Sequence, residues 1–491
     1  MSNNFHFYDR EQERAALVDT LTSTRSELII LYGRRGVGKS ALLDQALRGA
    51  GFPYIFYRAT RRTLPLQLGA LTEAAQEAYP GAFLGQPFGS ISVFLDFLVH
   101  QAAEREAAGS PVPVAVVVDE LPYLADVDAG LLTTLQHWWD ANKRRPNLKV
   151  FLAGSYVAFM ERQVLDSNAP LYNRPTGALK LEPMDYADAG LFFPRYSPRE
   201  KMEAFAILGG MPSYLEQFDP NRGIAENVTA TVLRRNTYLS EEPDWLLLED
   251  LRRDVTYGSI LRAVAQGARR PSEIAKTIGK GAAQDVAPQL ATLQEMALLV
   301  REVPITERGQ ARSRNSLYFL ADNYLDFWYR YVDPSRSLIV RGLGTRLWEQ
   351  TIAPSLGQYV SRPAFERACR QFLWRVLASE APPDALLPLT QSGFTEVGTW
   401  WGAGDREIDV MATDARGQIV LVGSCKWTDA PVDVREYAAL QRDLTLAGLD
   451  GSDPLLVLFS RSGFTARLTE IVTAQEPKRL VLVDLDTMYR V

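Results

Sequence analysis

Apolar residues fill several short stretches of this chain from end to end. ELIIL (27–31) is one, and it runs into GRRGVGKS and then ALLDQALRGA, whose composition is helical. Further strands are predicted at PYIFYRA (53–59), PVAVVVDE (113–120), LKVFLAGS (148–155) and GALKLEPM (177–184). Helical patterns fall between them, around 64–79, 91–108 and 129–142. Strands alternating with helices predict βαβ units and a parallel sheet. Strands without a polar face predict that helices cover the sheet on both sides.

The pattern changes after Pro183. Residues 185–250 alternate helical stretches with Pro/Gly punctuation, as in ILGGMPSYL (207–215), and contain no strand pattern. YGSILRAVAQGA (257–268), PSEIAKTIG (271–279) and AAQDVAPQLATLQEMALL (282–299) then predict three helices, and VREVPIT and SLYFLAD a hairpin. That order is the winged-helix variant of the helix-turn-helix. From about 340 to 491 the chain is mixed α/β. A helix is predicted at 363–378, strands near 394–400, 406–412 and 418–426, a helix near 433–447 and a strand at 454–460. The fold class expected is therefore α/β in four parts: a core with a parallel sheet over 1–184, a small helical subdomain over 185–255, a winged helix over 256–335 and an α/β tail over 336–491.

Composition narrows the classes. The chain has 491 residues, 46% hydrophobic and 23% charged, with a net charge of −6. Each part can bury a core, so disorder is not expected. Two cysteines, Cys369 and Cys425, exclude a disulfide scaffold and a Cys-rich zinc module, and three histidines leave little material for an imidazole-built metal site. The N-terminus lacks the basic-then-apolar order of a signal peptide, and no apolar run approaches the ~20 residues of a membrane span. A cytoplasmic protein without a membrane partner is expected. The mild acidity does not favour nucleic-acid binding by the whole chain, and leaves room for a local basic patch.

Gly33-Arg34-Arg35-Gly36-Val37-Gly38-Lys39-Ser40 satisfies GxxxxGK[ST] between a predicted strand and a predicted helix, with Ala41 the next residue. Glycines let backbone N–H groups curl around phosphates, and the helix N-terminus adds its dipole. Lys39 is expected to reach the β- and γ-phosphates, and the Ser40 hydroxyl to ligate Mg²⁺. The strand 114–118 ends in Asp119-Glu120: Asp119 would hold Mg²⁺ through water, and Glu120 would orient or deprotonate the attacking water. Ser155 ends the next strand, either as a sensor of the γ-phosphate or as a strand-end cap.

FYDREQERAAL, GRRGVGKS, VVVDELPYL, FLAGS, LYNRPTGALKLEPM and GGMPSYL, in this order, resemble the archaeal-type ATPase family, in the AAA+/STAND region of P-loop NTPases. The resemblance continues through YFLADNYLDFWYRYV, VGTWWG, EIDVMA and LVGSCKW, and so covers most of the chain. It implies ATP as the nucleotide, a helical lid, a winged helix and a tail with the PD-(D/E)XK nuclease fold. It also implies that FYDRE (7–11) lies near the adenine. Arg174, in LYNR, is placed like an arginine finger acting on a neighbouring subunit's γ-phosphate, which requires a homo-oligomer; the alternative is a surface residue or an intrachain ion pair. Gly209-Gly210 with Pro212 reads as a bend of the lid.

Two further regions invite chemistry. Helix 282–299 has Gln284, Gln289 and Gln294 but no Lys or Arg, while Arg269, Arg270, Lys276, Lys280, Arg308, Arg312 and Arg314 surround it. That distribution suits nonspecific contact with a double-stranded DNA backbone, or a protein-docking module, better than base reading. A PD-(D/E)XK site needs an Asp on one strand and (Asp/Glu)-x-Lys on the next. Asp409 and Lys426 fit, with Glu366 on the preceding helix as a third group, but the second acid's position holds Ser424. Glu407, two residues before Asp409, shares its face and offers a substitute carboxylate. The expectation is a degenerate nuclease site, or a remnant Asp409–Lys426 ion pair. The function expected is a Mg²⁺-dependent ATPase coupled to DNA or a protein partner. The alternatives are an ATP-gated DNA nuclease and a slowly hydrolysing signalling switch.

Overall fold

The computed structural model describes Tyr8 and residues 10–82, 85–145, 147–250, 255–309, 313, 315–402, 406–446, 448–449, 453–474 and 479–491. Phe7 and Asp9 of FYDRE, and Arg312 and Arg314, lie outside the described residues. The chain divides into two compact units, Met1–Pro183 with Glu295–Ala297, and Met184–Gln294 with Leu298–Val491.

The first unit is a five-stranded parallel sheet. Its strands are β1 (Glu27–Tyr32), β2 (Tyr54–Arg58), β3 (Val114–Asp119), β4 (Leu148–Gly154) and β5 (Gly177–Lys180), in the order β2-β3-β4-β1-β5. Burial follows position in the sheet. β3 and β4 are buried at every residue and β1 at all but its last, whereas the edge strands β2 and β5 alternate. The strands are joined by helices α1 (Glu11–Thr22), α2 (Lys39–Ala50), α3 (Leu64–Ala78), α4 (Ile91–Ala107), α5 (Leu121–Ala125) and α6 (Leu131–Asn142). Helix α1 is not signalled by the sequence, since its apolar face amounts to little more than the buried Leu17 and Leu21. Leu68, Leu71, Phe94, Leu98, Leu135 and Trp138 join the sheet residues in one core, each large side chain worth ~1.5–3 kcal/mol of transfer energy. The register aligns Arg58 with Asp119, Val118 with Leu152, and Tyr32 with Gly154. The C-terminal ends of four strands therefore share one edge, where open α/β sheets bind ligands.

The second unit begins with helices. Helix Pro198–Leu208 starts in a capping box, with the Ser197 side chain and Glu200 exchanging bonds with each other's backbone N–H. Gly209 follows at φ 67°, and a Cβ on Gly210 would stand 1.8 Å from the Met184 carbonyl oxygen, so this glycine pair makes a close backbone approach. Helices Val255–Ala265, Pro271–Thr277 and Ala287–Glu295 precede an antiparallel pair, β6 (Leu299–Glu302) and β7 (Leu317–Leu320).

Short helical segments fill Asn323–Tyr359, which the sequence pattern does not anticipate. Asn323–Tyr329 and Tyr331–Asp333 are buried without a break, so that first part has no polar stripe to read, whereas residues 334–358 alternate exposed and buried positions. The last sheet has strands β8 (Glu396–Trp401), β9 (Glu407–Thr413), β10 (Ile419–Lys426), β11 (Leu455–Ser460) and β12 (Leu480–Asp484), in the order β12-β11-β10-β9-β8. Helix Glu366–Ala378 buries Ala368, Cys369, Phe372, Leu373 and Val376, and Phe372 meets Phe459 of β11 edge to face at 5.9 Å. Arg375 on the same helix binds Asp185 at 2.8 Å and Asp188 at 2.9 Å. Among the described residues no helix is long and apolar enough to cross a membrane.

Candidate functional site

The loop between β1 and α2 turns on glycines at positive φ: Gly33 at 153°, Gly36 at 83° and Gly38 at 100°. Gly33 has no room for a side chain, since a Cβ would stand 2.3 Å from the carbonyl oxygen of Leu181, whose N–H donates to Tyr32 at 2.7 Å. Arg34 and Val37 are buried, Arg35 and Ala41 exposed. Lys39 opens α2 and is itself buried; its ammonium donates to the carbonyls of Gly33 (2.8 Å) and Arg34 (3.1 Å). Burial pushes its pKa down, while the carboxylates of Glu120 and Asp119 pull it up. The loop is thus closed around a cation, with the N-terminal turn of a 12-residue helix behind it.

The next residues of the shared edge complete the constellation. Ser40 Oγ donates to Asp119 Oδ2 at 2.7 Å. Two hard oxygen donors, one ionised, stand side by side, and this is the donor chemistry Mg²⁺ takes. Glu120 adopts the left-handed conformation (φ 57°, ψ 47°), uncommon for a residue with a Cβ and found where a site demands it. That turn sends its carboxylate to β4, where Oε2 accepts from Ser155 N (3.1 Å) and Ser155 Oγ (2.6 Å). Ser155 therefore neither stands alone nor caps its own strand; it holds Glu120. Arg58, which the sequence analysis does not single out, donates from Nε to Asp119 Oδ2 at 2.9 Å. No local pattern signals it: the meeting follows from β2 pairing with β3 in the register that aligns Arg58 with Asp119.

Residues 7–218 match the family model of an ATPase domain found predominantly in Archaea. This part of the chain, the ATPase domain, is similar to that family. Residues 328–439 match a domain of archaeal and bacterial proteins whose function is unknown. An uncharacterized protein of Methanocaldococcus jannaschii is 28% identical over 446 residues, covering 90% of this chain and 93% of that protein. The Walker-type ATPase of Pyrococcus abyssi is 24% identical, covers 66% of this chain and 96% of its own, and superposes with a TM-score of 0.50, a likeness of fold.

Within the ATPase domain, Arg174 lies apart from the loop. It precedes β5, where Thr176 N donates to the Leu28 carbonyl, at the end of the sheet opposite Gly33. Strand geometry separates those ends by about 17 Å. Its guanidinium binds Asp140 at 3.0 Å and the Tyr172 carbonyl at 2.9 Å. The intrachain ion pair is the arrangement observed, and the γ-phosphate of its own chain is out of reach. Of FYDRE, Arg10 is buried, bound to Glu13 at 3.0 Å and to the Glu182 carbonyl at 2.5 Å.

The second candidate constellation lies on β9, β10 and helix Glu366–Ala378. Asp409 Oδ2 accepts from Cys425 N (2.7 Å) and Ser424 Oγ (3.2 Å). The remnant ion pair is not formed: no carboxylate among the described residues lies within salt-bridge distance of Lys426, because Asp409 is turned onto the backbone of β10. Glu407 pairs with Arg362, which also lies 3.7 Å from Glu366. Burial, then the charge of Asp409, pushes Glu366 up to about 7. Among the described residues no three metal-ligating side chains stand together.

The hairpin-bearing segment also differs from its charge pattern. Arg269 lies over the Phe319 ring at 4.4 Å, and burial lowers its pKa. Arg308 pairs with Glu396 at 2.5 Å and donates to the Val397 carbonyl at 2.8 Å. Arg270, Lys276 and Lys280 remain exposed. Gln289 has its carbonyl oxygen buried without a partner, so it does not face outward.

Proposed function

We propose that the ATPase domain binds ATP at Gly33–Ser40 and hydrolyses its γ-phosphate. The observation that carries this reading is the meeting of Ser40, Asp119, Glu120 and Ser155 at the strand ends beside the glycine loop. Backbone N–H groups from Gly36 to Ala41 would hold the β- and γ-phosphates, and Lys39 would exchange its two carbonyl partners for phosphate oxygens. Ser40 and Asp119 would hold Mg²⁺, which when bound supplies positive charge against the phosphates. Glu120 accepts a proton from water as that water's oxygen forms a bond to the γ-phosphorus, and the bond from phosphorus to the β–γ bridging oxygen breaks, releasing ADP and phosphate. Ser155 is a positioning residue that keeps Glu120 aimed along the strand edge.

The winged-helix order of residues 256–335 supports coupling to a macromolecular partner, and the tail serves as a contact module rather than a nuclease, because Asp409 binds the backbone. Steady-state ATP turnover, measured with and without duplex DNA, tests the reading. Turnover lost in Lys39→Ala and in Glu120→Gln, with nucleotide still bound by Glu120→Gln, is the expected result. Equal turnover in all three proteins would sink it.

A further inference from the structure

At the N-terminal end of the first sheet, far from the glycine loop, lies a cavity of about 480 Å³. Three segments line it: the α1–β1 connection, the end of α6 with the turn after it, and the approach to β5. They contribute Arg25, Lys143, Arg144, Arg145 and Arg174 and no carboxylate. In a chain of net charge −6, five cations around one opening are a local reversal of sign. The nearby acids do not cancel them. Asp140 is shared between Lys143 (3.1 Å) and Arg174 (3.0 Å), and Glu27 stands 3.5 Å from Arg25. Among the described residues no carboxylate lies within salt-bridge distance of Arg144 or Arg145, both exposed.

The walls are fastened independently of any ligand. Ser26 Oγ donates to the Arg145 carbonyl, and the indole N–H of Trp139 to the Arg174 carbonyl at 3.1 Å. The buried Lys149 ammonium ties Ser23 and Arg25 through their carbonyls at 2.8 and 2.5 Å. The Trp139 ring is 2% exposed, so it forms a floor and offers no face for stacking a base.

We propose that this cavity and its rim bind the phosphodiester backbone of a duplex nucleic acid, without reading sequence. Long side chains with point or fork charges, spread over three segments, match a row of phosphates better than one compact phosphate, which a nest of backbone N–H groups would hold. The site is separate from the nucleotide loop and requires no ATP turnover. The cations of the hairpin segment are in part withdrawn, Arg269 into the Phe319 contact and Arg308 onto Glu396.

The test uses the full chain without nucleotide and a fluorescein-labelled duplex of arbitrary sequence, followed by anisotropy from about 50 to 200 mM salt. The wild type is expected to bind, equally for a second unrelated sequence, with affinity falling steeply as salt rises. The double substitution Arg144→Glu, Arg145→Glu should weaken binding more than about tenfold at the lowest salt, and should flatten the log–log salt slope by about 1.8. Arg144→Gln with Arg145→Gln should fall between, and unchanged thermal melting of both variants would show that folding is intact. Variants that bind like wild type, or a wild type that does not bind at about 50 mM salt, overturn the proposal. So does inorganic phosphate that displaces the duplex beyond its ionic-strength effect, since that marks a compact anion site. Unchanged DNA affinity with loss of a concentration-dependent ATP turnover also overturns it, and assigns the cations to a neighbouring copy's triphosphate.

Discussion

Asp119 and Asp409 are both strand carboxylates with a serine hydroxyl beside them and a lysine nearby, yet they differ in what their partners can do. Asp119 Oδ2 is held by the side chains of Ser40 and Arg58, and Arg58 is 59% exposed. Both can swing away and leave Oδ2 for a cation, while Oδ1 keeps the Glu120 N–H at 3.1 Å. Asp409 Oδ2 is held at 2.7 Å by a backbone N–H of β10, which cannot move without breaking the sheet. A buried N–H left without its acceptor costs about 1–3 kcal/mol, so Asp409 works as a structural acceptor. The first region also has a closed glycine loop and a helix N-terminus aimed at it; the second has neither. Motif residues make a site only where their partners are replaceable.

The largest effects expected separate the two regions. Lys39→Ala should reduce ATP turnover by about a thousandfold or more, since it removes the cation at the phosphates; calorimetric titration should show nucleotide affinity lost as well. Glu120→Gln should lower turnover by about 10²–10⁴ with nucleotide affinity retained, read from the same two assays. Asp409→Ala, which removes the acceptor of the Cys425 N–H, should leave turnover within experimental scatter and instead lower unfolding stability by about 1–3 kcal/mol in urea melts. A turnover loss in Asp409→Ala comparable to that of Glu120→Gln would break the comparison.

Glu366 sharpens it through pH. Its folded pKa, about 7, lies above the ordinary 4.5, so between those values the folded state binds more protons than the unfolded one. Its contribution is fully present below pH 4.5 and is lost as pH rises through 7, a fall of about 3 kcal/mol at most. Glu366→Gln should flatten that part of the stability profile, measured by denaturant unfolding at pH 5 and 8. The smallest effect is expected for Ser155→Ala: a drop in turnover of less than about tenfold with unchanged KM, because the Ser155 backbone N–H still holds Glu120.

Much of the ATPase domain was legible in the residues. All five strands of its sheet fall within a few residues of the stretches that signal them, and the three inner ones, β1, β3 and β4, are covered on both faces and leave no polar alternation to confuse with a helix. The glycine loop was legible for the same kind of local reason: positive φ at Gly33, Gly36 and Gly38 is a property of those residues themselves. The stretch Asn323–Asp333, buried almost without a break, had no periodicity to show, and β12 (LVLVD), with Leu480, Val481 and Val483 buried, is a strand the sequence analysis does not single out.

The conformation of the glycine loop and the succession of strands β1 to β5 were thus settled by the sequence, since each depends on a residue's own chemistry or on neighbours within a few positions. Partnership was decided only by the tertiary structure. Arg58 meets Asp119, Ser155 holds Glu120, Arg174 binds Asp140 and Asp409 binds the Cys425 N–H across separations of 61, 35, 34 and 16 residues. Strand order and register set those meetings, and they arise from packing the whole sheet at once, which no local pattern encodes.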